Sequence, residues 1–166
     1  TFLKESLRVL KKGGVLRISC PDADFLFKVS QFKNTYWNWR KDWFKNRGLK
    51  WGKITPKDCL IRELATPKLS LYDKCIMEQT IDQKKIDQWE YESLKKNLKK
   101  GLHFRFSAPG DHINSWDFKT LKKLGKEIGF SRVIRSKYRG SVSSIMQSPY
   151  FDQTRPGMSL YVEFIK

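Results

Sequence analysis

Phe2, Leu3, Leu7 and Leu10 recur at the spacing of one helix face, and Gly13 and Gly14 follow where a left-handed residue commonly ends a helix. The pattern predicts a helix over residues 1–12. Residues 15–20 then mix Val, Leu, Ile and small side chains around Arg17, which predicts a strand, and Pro21 closes it because proline lacks a ladder donor. A helix passing through a glycine turn into a strand is a unit of an α/β fold.

Further along, Phe25, Leu26, Val29 and Phe32 predict a short helix, and residues 36–52 set Trp37, Trp39, Trp43, Phe44 and Trp51 among Arg and Lys. Residues 55–74 hold two prolines with little periodicity, and read as irregular. Ile86, Trp89, Ser93, Leu94 and Leu98 share the face of one helix that ends near Gly101. Residues 23–110 therefore behave as a largely helical insertion or lid within a single domain spanning 1–166. Ser115 is a plausible N-cap, with Asp117 in the first turn, for a helix that carries Phe118, Leu121, Leu124 and Ile128 and stops at Gly129. Residues 130–136 read as a strand, and Ser159–Ile165 is nearly continuous apolar sequence, as in a strand buried on both faces.

Charge changes the picture of partners. With 34 Lys+Arg against 17 Asp+Glu the formal net charge is +17, which raises nucleic acid or an anionic surface as a partner, although the basic residues are spread along the chain as on a solvated surface. Three cysteines, Cys20, Cys59 and Cys75, form no CxxC pair, so neither a disulfide framework nor a zinc cluster is expected, and a reducing cytoplasm fits. No stretch approaches the roughly 20 apolar residues of a membrane span.

The order of these elements carries a resemblance. "FLKESLRVLKKGGVLRISCPD" resembles the stretch of class I S-adenosylmethionine-dependent methyltransferases that leads from the fourth helix into the fifth strand. "HINSWDFKTLKKLGKEIGF" and "SLYVEFIK" look like the last helix and closing strands of the same fold. The resemblance implies the C-terminal part of a Rossmann-like sheet, mostly parallel with an antiparallel last strand. It also implies methyl transfer from S-adenosylmethionine to an O or N acceptor, small-molecule or glycan-like. One departure is Lys12, where the family often has Pro. The larger departure is that none of the ten glycines pair at GxG spacing, so the glycine-rich cofactor turn is expected upstream with the first four strands.

Candidate site residues follow from that alignment and from the rule that ligands sit beyond the carboxyl ends of strands. Asp22 is a candidate for substrate contact, or a cap of the next helix. His112 is the candidate general base for the acceptor, or a hydrogen-bonded loop histidine, whereas His103 has no positional argument. Asn114 and Trp116 are candidates to orient or stack on the substrate, against capping and core packing. Tyr138 and Arg139, with Ser141, are candidates to recognise an anionic or sugar-bearing acceptor, against a solvated loop. Two rival classes stand beside the enzyme. One is a basic single-stranded nucleic-acid module using residues 36–51 as stacking platforms, and the other is a non-catalytic partner that completes another subunit's sheet.

Overall fold

The computed structural model describes residues 2–32, 35–46, 48, 50, 52, 54–68 and 83–166, so Trp51 and Cys75 lie outside the described residues. The chain divides into two compact units, Thr1–Asp22 with Trp116–Lys166, and Ala23–Ser115.

The first unit is built on a sheet of three strands, β1 (Val15–Pro21), β2 (Arg132–Ser136) and β3 (Ser159–Ile165), in the order β1-β3-β2. Both pairings are antiparallel, with Val15 opposite Ile165 and Arg132 also opposite Ile165. This corrects the expected Rossmann-like, mostly parallel sheet: among the described residues no two strands pair in parallel. The physical reason is that β3, the continuous apolar run, occupies the centre and runs against both neighbours. A strand buried by pairing on both sides reads in sequence like a parallel one. Pro21 ends an edge strand, where its missing N–H costs no ladder bond.

Alternation of side chains gives this sheet two different faces. Leu160, Val162 and Phe164 of β3 join Val133, Leu121, Phe130 and Leu3 in the core, with Leu16, Ile18 and Cys20 packed against it. Helices α1 (Phe2–Val9) and α7 (Phe118–Ile128) supply the covering layer. Helix α7 begins at Asp117 rather than Ser115: the Asp117 carboxylate accepts from the Thr120 amide at 2.7 Å. It stops at Gly129, whose φ of 111° is open to glycine, with the Phe130 amide bonded back to the Gly125 carbonyl. A side chain at Gly125 would put its Cβ 2.7 Å from the Phe164 ring, so helix and sheet approach at a distance only glycine allows.

The second unit is helical: α2 (Ala23–Ser30), a 3-10 turn Thr35–Arg40, α3 (Lys41–Lys45), α4 (Pro56–Leu64), a 3-10 turn Thr66–Lys68, α5 (Gln83–Ile86) and α6 (Tyr91–Lys99). The stretch expected to be irregular contains α4, which has a complete capping box. The Thr55 hydroxyl accepts from the Asp58 amide and the Asp58 carboxylate accepts from the Thr55 amide, with Pro56 at the first turn where its missing N–H is harmless. The helix expected across 86–98 is two, because the chain turns at residues 87–90. Leu26, Trp37, Phe44, Leu60, Ile61, Leu64, Ile86, Leu94 and Leu98 fill this unit's interior. The Lys68 ammonium, buried, donates to the Asn97 carbonyl in the last turn of α6 at 2.8 Å, and burial pulls its proton affinity below that of an ordinary lysine.

Candidate functional site

The arrangement with most chemical potential lies in the helical unit at the C-terminal end of α4. Glu63 sits in the last turn of that helix, fully buried, and its backbone carbonyl is one of those a helix end leaves without an intrahelical partner. His112 Nδ1 lies 2.6 Å from that carbonyl. A carbonyl oxygen only accepts, so Nδ1 carries a proton, and in the neutral ring the lone pair is then on Nε2. The His112 backbone is clamped to residue 66 on both sides: its amide donates to Thr66 Oγ1 at 3.0 Å, and the Thr66 amide donates to its carbonyl at 2.9 Å. The ring is held at Nδ1 and its side chain remains 32% exposed.

The Glu63 carboxylate faces the same ring edge, with Oε2 3.8 Å from Nδ1, and its Oε1 is in contact with the Arg40 guanidinium. Neither oxygen receives a well-aligned hydrogen bond among the described residues, and Arg40 Nε and Trp37 Nε1 are likewise buried without one. Arg40 also lies over the Trp39 ring at 4.4 Å, and Arg62 over Trp43 at 4.4 Å. A buried carboxylate held by charge alone, beside a histidine with one free nitrogen, is the combination expected of a proton-handling group.

Asp22, Trp116, Tyr138 and Arg139 fall in the sheet unit, and His112 and Asn114 in the helical unit. Asp22 is buried at the end of β1, where its carboxylate pairs with Arg135 at 2.5 Å and its amide donates to the Met158 carbonyl at 2.9 Å. Trp116 packs on the core of the sheet unit, and Asn114 is exposed. Tyr138 is exposed, with its ring tilted against Tyr161 at 6.3 Å. Arg139 has an exposed side chain that reaches the Gln147 carbonyl, while Ser141 is buried and accepts from the Ser143 amide. His103 is exposed.

Behind Tyr138 and Arg139 lies a cluster that the sequence reading did not identify, on the sheet face opposite the core. Arg17 of β1 uses all five of its donors: Nε and Nη2 on Asp152 at 3.0 and 2.7 Å, Nη1 on Glu163 at 3.0 Å and Ser136 at 2.9 Å, and Nη2 on the Lys137 carbonyl at 2.7 Å. The Arg139 amide, at a positive φ of 52°, adds a third bond to Asp152, and the Val142 amide bonds the second Glu163 oxygen at 3.0 Å. Hydrogen bonds from Arg17 hold the Asp152 carboxyl below the usual carboxylate range against the opposing pull of burial. For Arg17 burial works against the charge, and the bonds and charges of Asp152 and Glu163 outweigh it. The signal was available: Arg17 and Glu163 are single charges in otherwise apolar strands, and the register sets them opposite each other.

The other candidate chemistries are weaker. Trp37 is 2% exposed and Phe44 is fully buried, so those two rings of the aromatic run pack a core instead of offering stacking faces. Burial, aided by the charges of Asp22 and Asp117, pushes the Cys20 thiol up to about 12, and burial likewise raises Cys59, so neither is an activated nucleophile. Among the described residues no group of three His, Cys, Asp or Glu is arranged to hold a metal, and no helix is long and apolar enough to cross a membrane. No protein-family model matches the chain, and neither curated proteins nor solved structures yield a match.

Proposed function

We propose that the polypeptide carrying this chain transfers a methyl group from S-adenosylmethionine to a hydroxyl or amino group of a small-molecule or glycan-like acceptor, with His112 as general base. The resemblance of residues 2–22, 112–130 and 159–166 to class I methyltransferases names the reaction. The observation that supports this chain's share in it is the His112 ring, whose Nδ1 is committed to the Glu63 carbonyl and whose Nε2 is free to accept. The described residues do not fit a cofactor cradle: no glycine-rich turn follows a strand, and the Asp22 carboxylate is engaged by Arg135. No contact to the methyl donor is therefore assigned to the described residues. This chain's part is on the acceptor side, where Nε2 takes the proton that the acceptor oxygen or nitrogen releases as it attacks. Two free thiols, the half-buried Cys20 and the buried Cys59, favour the cytoplasm as the compartment.

The test is labelled-methyl incorporation by the product of the complete reading frame, with hydroxyl, amine and sugar acceptors. His112→Ala is expected to lower kcat by about 10²-fold or more with donor affinity unchanged. Unchanged turnover would remove His112 from the site. Absence of both transfer and donor binding in that product would end the methyltransferase reading.

A further inference from the structure

The net charge of +17 is the strongest feature of the sequence that the proposed reaction leaves unused. In one stretch of the chain it lies within a few residues of exposed aromatic rings. Between Glu92 and Asp111 the chain has no acidic residue and carries Lys95, Lys96, Lys99, Lys100 and Arg105. Two of these are engaged locally: Lys95 lies 3.3 Å from Glu92 and over the Tyr91 ring, and Arg105 pairs with Asp111. Lys96, Lys99 and Lys100 are exposed and have no ion-pair partner among the described residues. Their spacing follows from α6, which turns Leu94 and Leu98 inward and leaves these lysines on its outer side.

Gly101, at a φ of 76°, then reverses the chain, with the Leu102 amide bonded to the Lys99 carbonyl at 3.1 Å. The loop that follows is closed at its base by Arg105 and Asp111 and by the Asp111 amide bonded to the Ala108 carbonyl. From it project Phe104, 55% exposed, and Phe106, 92% exposed, with rings edge to face at 5.2 Å. Two large apolar rings exposed on this loop, within ten residues of three exposed lysines that have no ion-pair partner among the described residues, suit a partner that is apolar at depth and anionic at its surface.

We propose that the last turn of α6 and the Phe104–Phe106 loop dock on an anionic lipid bilayer. The two rings enter the interface between headgroups and acyl chains, and Lys96, Lys99 and Lys100 meet the lipid phosphates and carboxylates. A single-stranded nucleic acid fits less well, because stacking platforms for bases work inside a basic groove that tracks the backbone. Here Phe104 and Phe106 stand out into solvent on a loop instead of lining a groove.

The experiment is cosedimentation of this chain with phosphatidylcholine vesicles, with and without phosphatidylserine. The wild-type chain is expected to pellet with the phosphatidylserine vesicles alone. Phe104→Ser/Phe106→Ser keeps the net charge, so simple attraction between a basic protein and an acidic surface predicts no change, whereas docking predicts about a tenfold loss of partitioning. Lys96→Glu/Lys99→Glu should lose at least about fivefold per lysine, and Lys119→Glu/Lys126→Glu, with the same change of charge on α7, far less. Circular dichroism checks that each variant is folded, and the exposed positions keep that risk small. Equal binding by the Phe variant and wild type, or equal losses from the two lysine pairs, overturns the proposal. So does an oligonucleotide that binds through these same residues and displaces the vesicles.

Discussion

Among the described residues two glutamates are fully buried, and they live differently. Glu163, in the central strand, has one oxygen on the Arg17 guanidinium and the other on the Val142 amide, while Arg17 has no donor left over. Glu63, in the last turn of α4, touches Arg40 and faces His112, yet no well-aligned hydrogen bond reaches either oxygen among the described residues. A saturated buried network fixes a structure, because every member is costly to remove. An unsaturated one leaves a charge whose compensation is incomplete, which is the usual condition of a group that must stabilise charge arriving elsewhere. The first cluster is therefore read as the lock of the sheet unit and the second as its chemical opposite, a site.

Arg17 should separate the two readings with the largest effect. Replacing it with Ala strands Asp152 and Glu163 in the interior without a counter-charge, and the expected loss of unfolding free energy is about 3–5 kcal/mol. Urea denaturation followed by tryptophan fluorescence measures it. A loss below about 1 kcal/mol would mean that water reaches the cluster and that it is not a lock.

The paired glutamine substitutions sharpen the comparison at the next level. Glu163→Gln removes a charged acceptor from two good bonds, and about 1.5–3 kcal/mol of stability should go with it. Glu63→Gln leaves the Arg40 guanidinium buried without its counter-charge, so it too should lower stability, by about 3 kcal/mol, and in the proposed transfer turnover should also fall about tenfold with KM unchanged, a kinetic loss that Glu163→Gln does not share. A turnover loss in Glu163→Gln and none in Glu63→Gln would exchange the roles assigned to the two residues. The His112 ring offers an independent check: nitrogen chemical shifts should report the proton on Nδ1, and a ring protonated on Nε2 instead would remove its standing as a base.

How legible the two regions were in the sequence differs for a physical reason. The strand Ser159–Ile165 and the stop at Gly129 follow from local pattern alone, since burial on both faces and a left-handed φ each leave a mark on neighbouring residues. Strand direction leaves no such mark, and the antiparallel sheet contradicted the expected parallel one. Helix α4 is hidden because two prolines and little periodicity make residues 55–74 read as irregular, whereas Thr55, Pro56 and Asp58 together spell a helix start. Missing α4 also meant missing Glu63, so His112 was singled out without the carboxylate beside it. Asp152, 135 residues from Arg17, is joined to it by tertiary folding alone, which single-sequence patterning does not record.

That misreading gives a smaller test on the side of the helical unit. Thr55→Ala breaks one arm of the capping box and should cost about 1 kcal/mol. Because the Glu63 carbonyl lies at the other end of α4, about two turns away, the proton on His112 Nδ1 should stay where it is. Loss of that signal at wild-type stability would tie the site to the start of the helix instead of its end.

Acid provides the gentlest probe, with no effect near neutral pH. The folded-state affinity of Asp152 for its proton is depressed, chiefly by the Arg17 hydrogen bonds, so folding favours the ionised form. Its contribution to stability is fully present above the unfolded-chain value of about 4, and is lost as pH falls through the lower folded value. Arg17 stays charged throughout that range, so it adds no slope of its own. Unfolding free energy should therefore decline below about pH 4, and less steeply in Asp152→Asn, which starts lower and has no proton to take up there. Parallel slopes in the two proteins would show that the acid sensitivity belongs to other carboxylates, and the lock would then rest on Glu163 alone.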